Sequence, residues 1–518
     1  MAKLYLSVLV FVSGATVMAV ELTGLRLVAP YFGTSMIVTT ILIGSMMAFL
    51  SLGYWLGGIW GDRHPRIESL TKVTGLAGIA VVLLPFVAGP ILRFAAATVE
   101  PLMRGRGLDV GTTTLCLVVG GLLGILLLFA LPVILLGTTS PWAVRLAVSD
   151  VEKSGKAAGR LYSLSTLGSI IGSFLPALLL VPLLGVRNTF VSVGVVLAVI
   201  SAVRAVGPRK GSSAAMLFGL LFIPEGIIKP VDGLVYEEES AYHHIQVVKK
   251  PFKNSDCDSA YHLYLNEGVG LHSLKCLDTA TPTRGYWAYA SAATQFRDAP
   301  EQTTSVCIIG LAGGTMARQI LEEHPNARID GVEIDGRIVE VGKQYFDNGD
   351  PRITPYIMDG RTFLAATEKR YDFMVVDAYR QPYIPFHLTT VEFWREVNRH
   401  MGEDGVVAIN VASVKGVDDT LLKMVYRTMR EVFPQVLHVE AGSSNDVLIA
   451  TMARKRVSSA FDRIRKAPRG STLERVSRRW RSRLHPEVAG WEDAPILTDD
   501  QAPVEILWDL SALSYAKK

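Results

Sequence analysis

Three carboxylates and one glycine turn in the C-terminal half of the chain stand where chemistry could be done. Glu333 closes the apolar run in NARIDGVEID, Asp359 closes ITPYIMDG, and Asp377 closes YDFMVVDAY. The turn GLAGGT follows TSVCII, and its Gly310 and Gly314 would let the backbone approach a ligand closely. A glycine turn alone says little. Glu333, 19 residues after Gly314, adds the spacing of a carboxylate that accepts hydrogen bonds from ribose hydroxyls. Asp359, followed by Gly360, suits an acceptor for an adenine amino group. No lysine follows the turn as it would in a phosphate-binding loop, so cleavage of a nucleoside triphosphate is disfavoured. The expected ligand is an adenosine-containing small molecule. Asp377 can serve as a proton acceptor, or it can merely cap the turn that follows it.

These positions converge only if their runs are strands of one open sheet. From about residue 304 strand-like and helix-like segments alternate, with a helix starting near Thr315. That pattern implies a doubly wound sheet, in which ligands bind beyond the carboxyl ends of the strands.

The chain around this unit is not that of an ordinary soluble protein. In 518 residues, 52 Lys and Arg face 48 Asp and Glu, only 19% are charged, and mean hydropathy is +0.31. The balanced charge argues against a nucleic-acid partner. Six stretches, about 4–20, 36–58, 73–95, 112–136, 160–184 and 188–207, are apolar enough to cross a bilayer. The first lacks a cleavage site and is not read as a signal peptide. A seventh, Ser213 to Ile228, is shorter, carries Pro224 and Glu225, and reads as a half-length or interfacial segment.

With six spans, one side of the membrane carries Lys3, Arg63, Arg66, Lys72, Arg145, Lys153, Lys156, Arg160, Arg204, Arg209 and Lys210. The other carries Arg26, Arg93, Arg104, Arg106 and Arg187. The cationic side is cytoplasmic, so the expectation is a multi-pass inner (plasma) membrane protein with its N-terminus and soluble domain both in the cytoplasm. A crossing seventh stretch would place the soluble domain outside. Glu21 and Arg26, near the end of the first span, are either functional intramembrane charges or an interfacial pair. Gly53, Gly57, Gly58 and Gly61, with Gly168 and Gly172, fit close helix packing. Cys116, Cys257, Cys276 and Cys307 show no metal-ligand spacing. No metal site and no disulfide framework are expected, in keeping with a reducing compartment for the soluble half.

Taken in order, the motifs carry a resemblance. Residues 236–505 resemble the spermidine synthase (polyamine aminopropyltransferase) family, and the multispan N-terminus resembles its membrane-fused bacterial members. The signature S-x-Y-x-x-I-x-V falls on Ser240, Tyr242, Ile245 and Val247. LNEGVGLHS, GLAGGT, VEID, the MDGR run, YDFMVVDA and LTDDQAPVE follow in family order. The run GGIWGDRHPR also resembles the loop between the second and third helices of major facilitator transporters.

The family resemblance implies a class I methyltransferase-like, Rossmann-type α/β domain at 301–518. A small β subdomain at 236–300, a linker at 211–235 and a helical transmembrane domain at 1–210 would precede it. It implies aminopropyl transfer from decarboxylated S-adenosylmethionine to an amine, releasing methylthioadenosine, with no tightly bound cofactor. Asp377 would be catalytic. Gly310, Gly314, Glu333, Asp359, Gly360 and His272 would hold the donor; Tyr242, His243, Tyr286, Tyr379, Arg380 and Glu505 would line the acceptor site. Tyr289 is the alternative to Tyr286. Membrane lipids are expected partners, and a homodimer stays open.

Departures from the family are specific. The acid usual inside the glycine loop is Gly313, the second aspartate is Arg380, and two positions usually Gln are His243 and His272. Arg380 suits an acceptor bearing phosphate or carboxylate, or belongs to a solvated rim. The missing acid leaves S-adenosylmethionine-dependent methyl transfer as an alternative, and a non-catalytic nucleoside- or polyamine-binding transporter or sensor as another. The basic stretch Arg454 to Arg483 is expected to lie against anionic headgroups or to be a solvated helix.

Overall fold

The computed structural model describes residues 2–32, 36–103, 110–148, 154–205, 228–251, 257–266, 270–278, 285–380, 383–413, 419–442, 445–454, 457–468, 471–480, 482–505 and 507. The chain forms two compact units whose main boundary falls between Pro230 and Val231. Residues 108–115 group with the second unit, and residues 239–241 with the first.

The first unit is helical: α1 (Ala2–Phe32), α2 (Met36–Arg63), α3 (Ile67–Met103), α4 (Val110–Gly137), α5 (Thr139–Ala147), α6 (Ser154–Leu175) and α7 (Val181–Ala205). Their sequences are apolar nearly all round, the composition of helices that face lipid on one side and each other on the other. Five helical segments are long and apolar enough to cross a membrane. The fifth, Ser154–Val203, has 50 residues, about 75 Å as a helix against a hydrocarbon core of about 30 Å. It is broken at Gly185, where φ is 77° and ψ 172°, and is long enough for two passes. The six apolar stretches read from the sequence fall on these helices and on the π-helical turn Pro176–Leu180, except residues 206–207, which lie outside the described residues. Most of the seventh stretch, residues 213–227, lies outside the described residues.

Small residues set the helix spacing, as expected. A Cβ on Gly168 would stand 2.0 Å from the Phe11 carbonyl oxygen, and one on Gly172 2.1 Å from that of Ala15. Gly53 and Gly57 pack similarly on α4 and Thr138, whereas Gly58 faces open space. The two ends of α1 are tied to different parts of the chain. Near its start the Tyr5 hydroxyl donates to the Ile200 carbonyl at 3.0 Å. Near its end the Tyr31 hydroxyl donates to Ile228 O at 2.9 Å, and Lys229 Nζ to Pro30 O at 2.6 Å. Arg26 donates to the carbonyls of Ser240 and Ala241, which group with this unit.

The second unit holds two sheets. Strands β1 (Leu234–Glu239), β2 (His244–Pro251), β3 (Ser259–Leu265) and β4 (Leu271–Cys276) lie in the order 1-2-3-4, with β2, β3 and β4 antiparallel. Cys257 and Cys276 form a disulfide. This one bond departs from the expectation that disulfides play no part: the two residues lie 19 apart in sequence, but pairing of Ala260 with Cys276 brings their ends together.

The larger sheet comprises β5 (Ser305–Ile309), β6 (Arg328–Glu333), β7 (Ile353–Ile357), β8 (Tyr371–Val376), β9 (Met401–Ala412), β10 (Gln435–Glu440), β11 (Asn445–Thr451) and β12 (Leu484–His485). Its order is 12-10-11-9-8-5-6-7. The five strands β5 to β9 are parallel, and β11 runs antiparallel to β9. This is the class I methyltransferase-like arrangement. The central strands are continuous apolar runs because helices cover both faces. Val306, Ile308, Phe373 and Val375 face one core; Cys307, Ile309, Met374 and Val376 face the other. The direction in which successive strands are added reverses between β5 and β8, the switch point beyond whose strand ends open α/β sheets bind ligands.

The helices of this unit are α8 (Tyr286–Ser291), α9 (Thr315–Glu323), α10 (Gly336–Tyr345), α11 (Gly360–Ala366), α12 (Val391–Arg399), α13 (Thr420–Arg430), α14 (Val457–Arg465) and α15 (Thr472–Trp480). The last two carry the basic stretch, and they are neither free nor merely solvated. Ala460, Ile464, Val476 and Trp480 are buried in the core, with Trp480 5.9 Å from the Tyr289 ring and 6.0 Å from that of Phe296.

Candidate active site

The glycine turn joins β5 to α9. Gly310 has φ 94°, and a Cβ there would stand 2.4 Å from the Asp377 carbonyl oxygen. A side chain would therefore drive β8 away from β5. The amide of Asp377 donates to Ile309 O at 2.7 Å, fixing the residue just past the end of β8.

The Asp377 side chain is partly buried and held at both oxygens. The Tyr286 hydroxyl donates to Oδ2 at 2.9 Å, and Asn410 Nδ2 donates to Oδ1 at 3.0 Å. Asn410 is itself held, its Oδ1 accepting from Asn445 Nδ2 at 3.0 Å. Burial pushes the Asp377 carboxyl up to about 7, against the opposing pull of its two donors. A carboxyl in that range exchanges a proton near neutrality, which an ordinary aspartate does not.

The tyrosines divide in role. Tyr286, not Tyr289, meets Asp377; Tyr289 is buried against Trp480. Tyr379 turns to the backbone of β9, donating to Asn410 O at 2.9 Å and accepting from Ala412 N at 2.8 Å. Its hydroxyl is thereby engaged in holding the strand that presents Asn410.

Glu333 ends β6 and is buried. Its oxygens accept from the amides of Ala312, at 2.9 Å, and Asp335, at 3.3 Å. It thus links the glycine turn to the end of β6, and burial raises its pKa. Each carboxylate oxygen retains a further lone pair for a hydroxyl. His243 stands beside it, Nδ1 at 3.0 Å from Asp335 Oδ2. Tyr242 is 53% exposed, its ring 6.4 Å from that of His243. His272 lies on β4 next to Ser273, whose hydroxyl accepts from Gly313 N at 2.8 Å.

Asp359 caps α11, accepting from Arg361 N and Thr362 N at 3.0 Å, and His387 Nε2 lies 2.8 Å from its other oxygen. His387 first, then the two amides, pull this carboxyl down to about 2. A Cβ on Gly360 would meet Ile309 Cγ2 at 2.3 Å, so this helix start sits directly on β5. Arg380 is exposed and pairs through its backbone with Tyr383, Arg380 N to Tyr383 O at 2.8 Å. Glu505 is partly buried in the C-terminal segment, and among the described residues no hydrogen bond joins it to the Asp377 group.

Asn410, Asp335 and His387 were not singled out in the sequence. Asn410 has a signal after the fact: it is the lone polar residue in the strand run VVAINVA, and such a residue needs a partner when buried. Asp335 and His387 carry none, because their partners come from distant segments.

The chain is similar to a known family, to two curated relatives and to one solved structure. The spermine/spermidine synthase domain family matches residues 295–441. A protein of Bifidobacterium longum named "Probable polyamine aminopropyl transferase" is 31% identical over 324 residues, covering 57% of this chain and 68% of its own length. A Vibrio vulnificus polyamine aminopropyltransferase is 27% identical over 223 residues, 41% of this chain and 71% of its own. A solved structure titled a probable spermidine synthase from Corynebacterium glutamicum aligns at 20% identity over 52% of this chain and 97% of its own, with TM-score 0.41.

Proposed function

Because this chain belongs to the spermine/spermidine synthase (polyamine aminopropyltransferase) family, we propose that it moves the aminopropyl group of decarboxylated S-adenosylmethionine to an amine acceptor. In that reaction the amine lone pair attacks the carbon bonded to the sulfonium. The carbon–sulfur bond breaks with its electrons going to sulfur, and methylthioadenosine leaves as a neutral thioether. The nitrogen then carries a proton to lose. Asp377 accepts it, while Tyr286 and Asn410 hold the carboxylate in place.

Glu333 accepts from the ribose hydroxyls, Gly310 and Gly314 admit the nucleoside, and Asp359 with Gly360 borders the adenine. His272 completes the donor side. Tyr242, His243 and Arg380 face the acceptor side, and Glu505 is assigned there on the family resemblance alone. Tyr379 serves by fixing β9 rather than by meeting substrate. The observation that carries the reading is the doubly held Asp377 carboxyl with its pKa near neutrality. The helical unit integrates the enzyme in a membrane, where an acceptor associated with lipid would be concentrated near it.

One observation favours a second reading, methyl transfer from intact S-adenosylmethionine. A Cβ at Gly313 would meet Ser273 Cβ at 2.8 Å and Phe346 Cγ at 3.0 Å, so the turn has no room for an acid facing the donor's amine. Mass spectrometry of products decides. Purified full-length protein supplied with both sulfonium donors and a panel of amines should release methylthioadenosine. S-adenosylhomocysteine as the sole nucleoside product would replace the first reading with the second.

A further inference from the structure

Asp377 meets a carboxamide, a group whose two ends are nearly the same size and opposite in character. The side-chain nitrogen of Asn410 can only donate and its oxygen can only accept. The shape of the side chain therefore does not decide which end faces Asp377. With Nδ2 at 3.0 Å from Asp377 Oδ1, the charged carboxylate receives a hydrogen bond. Turned by half a circle, the same amide would set an acceptor against that oxygen. It would then favour the protonated carboxyl, which alone has a hydrogen to give. The flanking Ile409 and Val411 side chains, apolar and buried, cannot choose between the two directions.

Asn445 can. It begins β11 opposite Ala412, while Asn410 lies opposite Val447, two positions further along β11. Residues two apart on a strand share a face, so Asn410 and Asn445 are diagonal neighbours on one side of the sheet. Asn445 Nδ2 donates to Asn410 Oδ1 at 3.0 Å. Its own carbonyl accepts from the amides of Ala441, at 3.1 Å, and Gly442, at 3.0 Å, which anchors its backbone just past β10. Once the oxygen of Asn410 is claimed on that side, its nitrogen is left for Asp377.

We propose that Asn445 is a positioning residue that fixes the direction of the Asn410 amide, so that Asp377 meets a hydrogen-bond donor whether or not it carries a proton. The surroundings agree. Burial lifts the Asp377 carboxyl to about 7, and of the two donors that oppose burial Asn410 is the stronger. Tyr286 from α8 and Tyr379 from the segment after β8 are kept neutral by burial. Asp446, next to Asn445 in sequence, is engaged by His438 at 2.8 Å and by Ser413. Among the described residues no charged side chain bonds to Asp377, so neutral donors oppose burial in setting its proton affinity. The inference rests on the reading of Asp377 as the proton acceptor.

Infrared spectra of the purified full chain, recorded against pH, read the Asp377 carboxyl directly; its band is the one missing from Asp377→Asn. Asn445→Leu, similar in size and without a donor, should move that titration upward by about 0.5–1 pH unit. Asn445→Asp, whose carboxylate only accepts, should draw the Asn410 nitrogen away from Asp377 and move the titration further. Being nearly identical in shape to the parent residue, it keeps the test in hand should the leucine variant not fold. The acidic limb of kcat should follow the infrared titration. Because the effect passes through Asn410, both shifts should vanish in an Asn410→Leu background. An unmoved titration in the Asn445 variants overturns the inference, and so does a shift that persists without Asn410. The infrared readout needs no turnover. Parental turnover in Asp377→Asn would remove the proposed proton acceptor, and the infrared titration would still decide the role of Asn445.

Discussion

At the scale of residues, Asp377 carries two conflicting demands. Its carboxyl must be charged to accept a proton, yet its surroundings favour the neutral form and lift the pKa from 3.8 to about 7. Asp377→Asn is therefore expected to lower turnover about 100-fold or more while leaving nucleoside affinity nearly unchanged; near-parental turnover would remove the proposed role. Stability should move the other way. A group whose folded pKa is raised contributes stability that is fully present below its unfolded pKa and is lost as pH rises through the folded value. The asparagine variant should thus gain on the parent between about pH 4 and pH 7 and stay ahead above it.

Tyr286→Phe removes a donor that favours the charged carboxylate, so the acidic limb of the kcat/KM profile should shift upward by about one pH unit. An unmoved limb would mean that Asp377 is not the group titrating. Glu333→Gln should weaken methylthioadenosine binding by roughly 1–3 kcal/mol, measured by calorimetry. Equal affinity would detach Glu333 from the ribose.

At the scale of elements, the site is a set of strand ends. Glu333, Asp359 and Asp377 were legible in the sequence because each closes an apolar run, and strand spacing then fixes them at one edge of the sheet. The hydrogen-bonding shell was not legible. Asn410 reaches Asp377 only because β9 lies beside β8, and His387 reaches Asp359 across 28 positions of sequence. The anchoring of Tyr379 was not legible either: its hydroxyl bonds to the β9 backbone, a partner that only the pairing of β8 with β9 brings within reach.

Gly313 shows how tightly the turn is built. Gly313→Ala should cost about 1–3 kcal/mol, because Ser273 is fixed by its bond to the turn and cannot retreat cheaply. Gly349→Ala, in open space, serves as the control. Equal denaturation midpoints for the two variants would show that the turn is looser than these distances imply.

At the scale of the whole molecule, the small sheet and the glycine turn are tied together through one covalent bond and a few hydrogen bonds. The sequence pattern placed the helices and the sheet correctly, but it missed the disulfide, since the proximity of Cys257 to Cys276 follows from strand pairing and not from spacing. A cross-link closing a loop of about 20 residues restricts the unfolded chain by roughly 3 kcal/mol. Cys276 ends β4, next to the strand residues Ser273 and Leu274 that bond to Gly313 and Thr315 at the glycine turn. Loss of the bond should therefore loosen the donor side of the site as well as the small sheet. Reductant, or Cys257→Ser with Cys276→Ser, is expected to lower the unfolding midpoint of the purified full chain and to speed hydrogen exchange in β3, β4 and the turn at 310–314 before the central strands β5 and β8. Unchanged exchange in all three segments after reduction would show that the small sheet holds together without its cross-link.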